Sequence, residues 1–269
     1  MQDFYPKRIV CLTEETTETL YLLGEQARIV GISGYTVRPP EARKEKPMVS
    51  AFIDARIDKI LALKPDLVIG FSDIQADIAQ ELIKNGISVW VNNHRSVEGC
   101  MKMIVQLGSL VGKEYRAIQL VDAYQKRIDE IRKTALSWES RPSVYFEEWD
   151  EPMICGIEWV SELIELAGGH DVFKEKRSGG LAKDRIITDP ALVIEKNPDI
   201  ILASWCGKKF QQEELEAREN WSKISAVANQ QVFEIDSSVI LQPGPAALTE
   251  GLEQLHTIFK SWTETKDNQ

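Results

Sequence analysis

The chain has 269 residues, a formal net charge of −10 at pH 7 and a hydrophobic fraction of 43%. This acidic balance argues against nucleic acid or an anionic membrane surface as a partner, because both are bound through clustered Lys and Arg. No run reaches the roughly 20 apolar residues of a membrane span, and residues 1–5 lack the features of a secretory signal. We therefore expect a soluble, cytoplasmic monomer, or a periplasmic or extracellular one if a signal sequence has been removed.

The first half of the chain alternates predicted strands and helices. In chain order these are a strand at residues 7–12 entering an acidic loop, a helix ending at Gly24, a strand at 28–32, a short helix, Pro-Asp turn and buried strand at 60–69, a helix at 73–85 and a strand at 88–91. The proline ends its helix, and the β-branched run after it suits a strand covered on both faces.

Two helices follow with no Gly/Ser-rich linker. Residues 96–111 are apolar at helical spacing, and residues 114–138 continue as one amphipathic helix of roughly 37 Å at 1.5 Å per residue. We predict that this rigid helix joins two lobes. The predicted domains are an N-terminal lobe at 1–111, the joining helix at 112–140 and a C-terminal lobe at 141–269.

The second half repeats the first at a nearly constant offset. A strand entering an acidic loop recurs at residues 142–149, a glycine-terminated helix ends at Gly168, and a helix, Pro-Asp turn and strand recur at 193–202; a strand at 231–235 and a helix at 245–262 complete the half. Alternating strands and helices indicate parallel sheets. The predicted fold is α/β, with two Rossmann-like lobes and a ligand cleft between them.

Candidate ligand contacts follow from this topology, because ligands of parallel sheets lie beyond the carboxyl ends of the strands. These ends combine aromatic surface with polar anchors, which suits a flat, amide-bearing ligand. Arg185 lies in a glycine-rich basic loop that we expect to cover the ligand and to reach an anionic or amide group. The predicted contacts are Thr13, Glu14, Glu15, Tyr35, Phe71, Ser72, Asp73, His94, Glu148, Trp149, Arg185, Trp205, Cys206, Gln242, Pro243 and Gly244.

The sequence carries no recognisable catalytic or metal motif. G-x-S-x-G, H-E-x-x-H, P-loop and dinucleotide fingerprints are absent, and the four cysteines form no C-x-x-C pair. Glu147 and Glu148 are adjacent on a strand, where neighbouring side chains point to opposite faces, so they need not share a site. We expect no catalysis and no resident metal or cofactor. Two alternatives remain: an enzyme using the cleft carboxylates Glu147 and Glu148, and a metal-ion receptor built from Glu14, Glu15, Glu147, Glu148 and His94.

Several segments resemble substrate-binding proteins of ABC importers for cobalamin, haem and iron-siderophores, over essentially the whole chain. They are residues 6–10, 31–35, 63–69 and 167–169, with residues 147–152, Gly156 and residues 205–207 closest to cobalamin-binding members. The resemblance implies non-catalytic binding of a cobalamin-like corrinoid, with Pro245 added to the contacts. A haem or siderophore ligand is the alternative; haem usually takes an axial His, Tyr or Met, and His94 is the histidine on a predicted cleft loop.

The same resemblance implies an ABC permease as partner, engaged by an exposed Glu on each lobe. The corresponding positions hold Ala76-Asp77 and Pro190-Ala191, so Asp77 is a partial substitute and the second acid is missing. A cytosolic relative that stores, senses or carries its ligand is therefore a further alternative.

Overall fold

The computed structural model describes residues 4–267, which form two compact units. One consists of residues 4–94 with Glu98–Ala123, and the other of Arg95–Val97 with residues 124–267. We call them unit 1 and unit 2. Within residues 4–267 no helix has the length and apolar character needed to cross a membrane.

Unit 1 contains a five-stranded, wholly parallel sheet in the order β3-β2-β1-β4-β5. β1 and β4 are buried along their whole length, as their aliphatic runs predict. Up to the helix that enters unit 2, the elements are β1 (Ile9–Cys11), α1 (Glu14–Leu22), β2 (Ile29–Ser33), α2 (Ala42–Glu45), β3 (Met48–Ser50), α3 (Ile57–Ala62), β4 (Leu67–Phe71), a 3₁₀ turn (Asp73–Gln75), α4 (Ala76–Lys84), β5 (Val89–Asn92), α5 (Val97–Leu110) and α6 (Glu114–Ala135).

Unit 2 contains a sheet in the order β10-β9-β6-β7, with β8 also paired to β6. Its elements are β6 (Ser143–Asp150), β7 (Met153–Cys155), α7 (Glu158–Ala167), β8 (His170–Asp171), α8 (Ala191–Lys196), β9 (Ile200–Ala203), α9 (Gln212–Glu216), α10 (Ser225–Ala228), β10 (Val232–Glu234), α11 (Ser237–Ile240), a π-helical turn (Ala247–Gly251) and α12 (Leu252–Asp267).

One pairing departs from the predicted parallel sheets, because β7 runs antiparallel to β6. The cause is local, because the turn at Glu151 and Pro152 sends the chain straight back along the strand it has just left. The other pairings of this sheet are parallel. The short strands β3, β7 and β8 were not predicted from the sequence. The α/β fold with largely parallel sheets is confirmed.

The two Pro-Asp turns perform the same task in both units. The Asp66 carboxylate accepts hydrogen bonds from the backbone N–H groups of Lys7 (2.7 Å) and Arg8 (2.9 Å), just before β1. The Asp199 carboxylate likewise accepts from the N–H of Ser143 at the start of β6 (2.9 Å). The backbone N–H of each Asp donates in return to the carbonyl of Arg8 or Ser143. Each turn therefore sets the register of its unit's first strand against the strand that follows the turn.

The predicted long helix is present as α6 and ends at Ala135, three residues earlier than Trp138. Trp138 lies beyond it and stacks on the His256 ring at 5.2 Å. The division between the two units falls inside α6, after Ala123. The predicted three-part domain division, with residues 112–140 as a separate joining segment, stays a prediction.

Candidate functional site

The carboxyl edge of the unit 1 sheet carries exposed apolar side chains. Tyr35 follows β2 and is 54% exposed, and Phe52 and Ile53 follow β3 at 40% and 72%. Ile74 follows β4 and is also exposed. All four belong to loops that leave parallel strands at the same edge, where ligands of such sheets bind. Tyr35 was a predicted contact; Phe52, Ile53 and Ile74 were not.

The loop after β4 has an unusual backbone. Ser72 adopts φ +60°, a conformation that residues with a side chain rarely take, and its hydroxyl accepts a hydrogen bond from the Ile74 N–H at 3.2 Å. The Ser72 N–H donates to the Asn92 carbonyl at the end of β5. These contacts hold the sharp turn that presents Ile74. Such strained positions cluster at ligand sites.

The first turn of α1, directly after β1, contains a buried carboxyl group. The Thr13 hydroxyl donates to the Glu15 carboxylate at 2.5 Å. Burial raises the pKa of the Glu15 carboxyl from 4.5 to about 7, and the hydrogen bond from Thr13 partly opposes this. Burial also raises the pKa of the neighbouring Cys11 thiol to about 12, which makes it a poor nucleophile. The junction of β1 and α1 therefore offers a proton-binding group near neutral pH and no reactive thiolate.

The remaining predicted contacts of unit 1 differ in exposure. Thr13, Glu14, Glu15 and Ser72 are buried, Asp73 is exposed and His94 is partly buried. Phe71, expected to offer ring surface, is buried and meets the His94 ring edge-on at 5.4 Å. The expectation for Phe71 is corrected, because the last residue of β4 packs into the unit rather than lying in a loop.

In unit 2, a buried ionic network lies beside β6. The fully buried Glu147 carboxylate accepts two hydrogen bonds from the Arg218 guanidinium (2.6 and 2.9 Å), one from Tyr145 (2.9 Å) and one from the Trp205 indole (3.0 Å). Arg218 also lies over the Trp221 ring at 4.5 Å. The network ties the loops after β9 and α9 to the central strand. Sequence reasoning missed Arg218, which lies 71 residues from its partner with no local pattern linking them.

Glu148 pairs with a different arginine. Its carboxylate accepts two hydrogen bonds from Arg185 (2.6 and 3.0 Å), and Arg185 also donates to the Cys155 carbonyl. The separate partners of Glu147 and Glu148 agree with the expected alternation along the strand. Arg185 is 2% exposed, so the expectation that it reaches a ligand is corrected: its charge is neutralised by Glu148, and it anchors the basic loop.

The other predicted contacts lie at the end of β6, in the loop after β9 and in the loop after α11. Trp149 is partly buried, and its indole donates to the Glu151 carbonyl at 2.8 Å. Trp205, expected on the ligand face, is 3% exposed and meets the Phe210 ring edge-on at 5.0 Å; this expectation is corrected, since the ring belongs to the core. Cys206 is exposed. Gln242 is partly buried, whereas Pro243 and Gly244 are buried.

Four buried polar atoms near the carboxyl ends of strands have no hydrogen-bond partner among the described residues. They are Thr36 Oγ1, Ser50 Oγ and Asn92 Nδ2 in unit 1 and Ser204 Oγ in unit 2. Buried polar groups normally have a partner, because leaving one unpaired costs about 1–3 kcal/mol. Three of the four lie at the carboxyl edge of the unit 1 sheet, and unpaired groups of this kind are typically satisfied by a ligand or ordered water.

The described residues contain no group of three or more His, Cys, Asp or Glu side chains placed to hold a metal ion. Of the acids in the metal-receptor alternative, Glu147 is paired with Arg218 and Glu148 with Arg185. Burial also raises the pKa of the Cys155 thiol to about 12. The arrangement favours binding by apolar contact and neutral hydrogen bonds.

Comparison with known proteins agrees with this geometry. A family model described as periplasmic binding protein matches residues 9–239. The Bacillus subtilis protein named "Uncharacterized ABC transporter substrate-binding lipoprotein YvrC" is 29% identical, over 93% of this chain and 79% of its own length. A vitamin B12-binding protein of Vibrio campbellii is 24% identical, over 94% of this chain and 90% of its own. The solved structure of Staphylococcus aureus IsdE complexed with heme matches with a TM-score of 0.79 at 23% identity, covering 94% of this chain and 98% of IsdE; this likeness concerns the fold.

Proposed function

This chain belongs to the periplasmic binding protein family, and from that premise we propose that it binds a cobalamin-like corrinoid or a related metal chelate without transforming it, as the substrate-binding protein of an ABC importer. The resemblance of the sequence to that class and the names of the relatives support the proposal. Relatives named for vitamin B12 and for heme match at similar identity, so their names do not distinguish a corrinoid from haem. The choice of a corrinoid is therefore the more specific part of the proposal.

The observation that carries the proposal is the pairing of apolar and polar groups at the carboxyl edge of unit 1. Tyr35, Phe52, Ile53 and Ile74 offer exposed apolar surface there. The unpaired buried atoms of Thr36, Ser50 and Asn92 belong to the same edge. A flat chelate with an apolar ring and amide groups at its rim matches both features. In unit 2, Trp149, Cys206 and Gln242 stay predictions as contacts.

Haem is the second candidate, because unit 1 carries two side chains of the kinds that ligate haem iron. Tyr35 is exposed at the carboxyl edge, and His94 follows β5 at the same edge. A tyrosinate or imidazole bond to iron produces characteristic absorption bands, whereas apolar stacking of a corrinoid does not require a protein ligand to cobalt. The absorption spectrum of each complex therefore separates the two candidates.

Transport requires a membrane partner and a location outside the cytoplasm. We propose both for this chain, and the expectation of a cytoplasmic protein finds no support in relatives named as an ABC transporter lipoprotein or as vitamin B12-binding. Asp77 is exposed in the first turn of α4, and Asp189, immediately before Pro190, is exposed as well. These acids are the proposed contacts with basic residues of a permease.

The test is a titration with cyanocobalamin, dicyanocobinamide and haemin, in which binding is measured by calorimetry and by absorbance. We expect saturable one-to-one binding of a corrinoid. Tyr35→Ala should weaken it by about 1–3 kcal/mol, the range for a buried aromatic contact. Tyr115→Ala is the matched control, because Tyr115 is an exposed tyrosine of the same unit on α6 and should leave the affinity unchanged. Absence of heat and of any spectral change with all three compounds would refute the proposal.

A further inference from the structure

We infer that Gln75 is a positioning residue for ligand binding, and that its amide holds the exposed turn carrying Phe52 and Ile53 at the carboxyl edge of unit 1. The inference rests on the proposed function for the ligand. The role of Gln75 in holding the turn rests on the structure of the unit alone.

The turn between β3 and α3 is compact and presents its apolar residues at the tip. Ser50 and Ala55 form an isolated antiparallel bridge, and the Ala51 N–H donates to the Asp54 carbonyl at 2.7 Å. Phe52 and Ile53 lie between these contacts and are among the exposed apolar side chains of the unit. Their exposure means that packing inside the unit does not determine the turn's position, so hydrogen bonds to its backbone carry more of that task.

Gln75 supplies such a hydrogen bond from the interior. Its side-chain N–H donates to the Phe52 carbonyl at 2.8 Å and to the Leu12 carbonyl at 3.5 Å, and its oxygen accepts from the Phe71 N–H at 2.9 Å. The side chain is 1% exposed. It therefore links three loops, those after β1, β3 and β4, in one buried group.

The surrounding backbone makes room for this amide. A Cβ atom on Gly70 would lie 2.9 Å from the Gln75 oxygen, so a larger residue there would displace it. β1 and β4 are also the strands between which the chain order of the sheet reverses, the place where ligands of such sheets bind. The Gln75 amide lies buried between the ends of these two strands. A ligand then rests above the amide, against the turn that the amide fixes.

An amide is the chemistry that this position requires. One oxygen accepts from Phe71 while the nitrogen donates to two carbonyls, and a carboxylate can perform only the first task. The ionised carboxylate of Gln75→Glu should keep the contact to Phe71, lose the donor to Phe52 and place a negative charge beside its carbonyl, so this variant is measured at about pH 9, above the raised pKa of a buried carboxyl. Gln75→Met should lose all three hydrogen bonds while keeping a side chain of similar length.

The experiment combines hydrogen exchange with ligand titration, using Gln75→Glu and Gln75→Met. Gln80→Met, on the exposed face of α4, is the matched control. We expect amide exchange in residues 51–56 to accelerate about tenfold in both Gln75 variants. We also expect corrinoid or haemin affinity to fall about fivefold, as for the loss of a net hydrogen bond. In a Phe52→Ala/Ile53→Ala background, the same change at Gln75 should no longer alter affinity.

Two results would overturn the inference. One is unchanged exchange of residues 51–56 in both Gln75 variants. The other is an affinity loss that persists undiminished in the Phe52→Ala/Ile53→Ala background, which would mean that Gln75 acts through another contact. If the unaltered protein binds none of the three compounds, the proposed function fails instead, and the exchange measurement still decides whether Gln75 holds the turn. Urea unfolding of both Gln75 variants shows whether either change lowers the stability of the whole unit, so that a general folding defect is not mistaken for release of the turn.

Discussion

The two units fill the position beside their first strand with different chemistry. In unit 1 a neutral amide, Gln75, links the ends of β1 and β4. In unit 2 a buried carboxylate, Glu147, binds the Arg218 guanidinium and the Trp205 indole beside β6 and β9. Both sheets pair the first strand of the unit with the strand that follows the Pro-Asp turn. A neutral group lies beside this pair of strands in unit 1, and a charge pair lies there in unit 2.

The difference has an energetic consequence. A neutral hydrogen bond contributes about 1 kcal/mol net, whereas removing one partner of a buried ion pair leaves an uncompensated charge and costs about 3–5 kcal/mol. Unit 2 should therefore depend on Glu147 for its stability. Unit 1 should depend on Gln75 mainly for the position of a loop.

The largest effect is expected from breaking the charge pair. Glu147→Ala should lower the free energy of unfolding by about 3–5 kcal/mol, because the Arg218 guanidinium, the Tyr145 hydroxyl and the Trp205 indole all lose their acceptor. Urea unfolding measures this. The control is Glu253→Ala, which breaks an exposed pair with Arg127 in the same unit and should cost less than about 1 kcal/mol. Equal costs for the two variants would show that the buried pair contributes no more to stability than an exposed one.

The next effect concerns the buried acid of unit 1. In the unfolded chain the Glu15 carboxyl titrates near 4.5, and burial raises its pKa to about 7 in the folded protein. The folded state therefore holds a proton that the unfolded chain loses between these pH values. The stability that this proton provides is complete below pH 4.5, declines as the pH rises to 7 and is constant above, for a total on the order of 3 kcal/mol.

Glu15→Gln should abolish that decline, because the amide stays neutral throughout. Unfolding midpoints measured from pH 4.5 to 8 for the variant and the unaltered protein give the difference directly. Glu41→Gln, an exposed carboxyl of unit 1, serves as control and should follow the unaltered protein. A Glu15→Gln curve parallel to that of the unaltered protein would show that Glu15 is ionised in the folded state.

The smallest effect sharpens the comparison at the twin turns. Lys64 and Asn197 precede the two prolines and adopt φ values of +47° and +44°. Lys64→Gly should stabilise by up to about 1 kcal/mol, since lysine is strained in this conformation. Asn197→Gly should not, because asparagine tolerates the conformation and the Asn197 side-chain oxygen accepts from the Ser225 N–H at 2.8 Å. Thermal melts of both variants test this, and a larger gain at Asn197 would contradict it.

Much of the fold was predictable from local patterns. The two Pro-Asp turns were predicted as equivalent, and Asp66 and Asp199 make equivalent contacts. Buried strands were predicted from aliphatic runs that are covered on both faces, as in β4 and β9. Such features depend on neighbouring residues, so one sequence suffices to find them.

The details of the candidate site were less predictable. Gln75 donates to a carbonyl 63 residues away in Leu12, and Arg218 binds Glu147 at a separation of 71 residues. Trp205 and Arg185 have the residue types expected at a ligand surface, yet both are buried by partners distant in sequence. Phe52 and Ile53 were overlooked because β3 is too short to show alternation.

By itself the sequence determined the α/β class, the duplicated strand–turn pattern, the edge at which polar and aromatic residues gather and the resemblance to importer substrate-binding proteins. Only the tertiary structure decided which of those residues are covered by arginines or core rings and which remain exposed, and it alone revealed the amide beneath the Phe52–Ile53 turn. The physical reason is that exposure and hydrogen bonding at a sheet edge depend on the order of the strands, which brings together residues that share no local pattern.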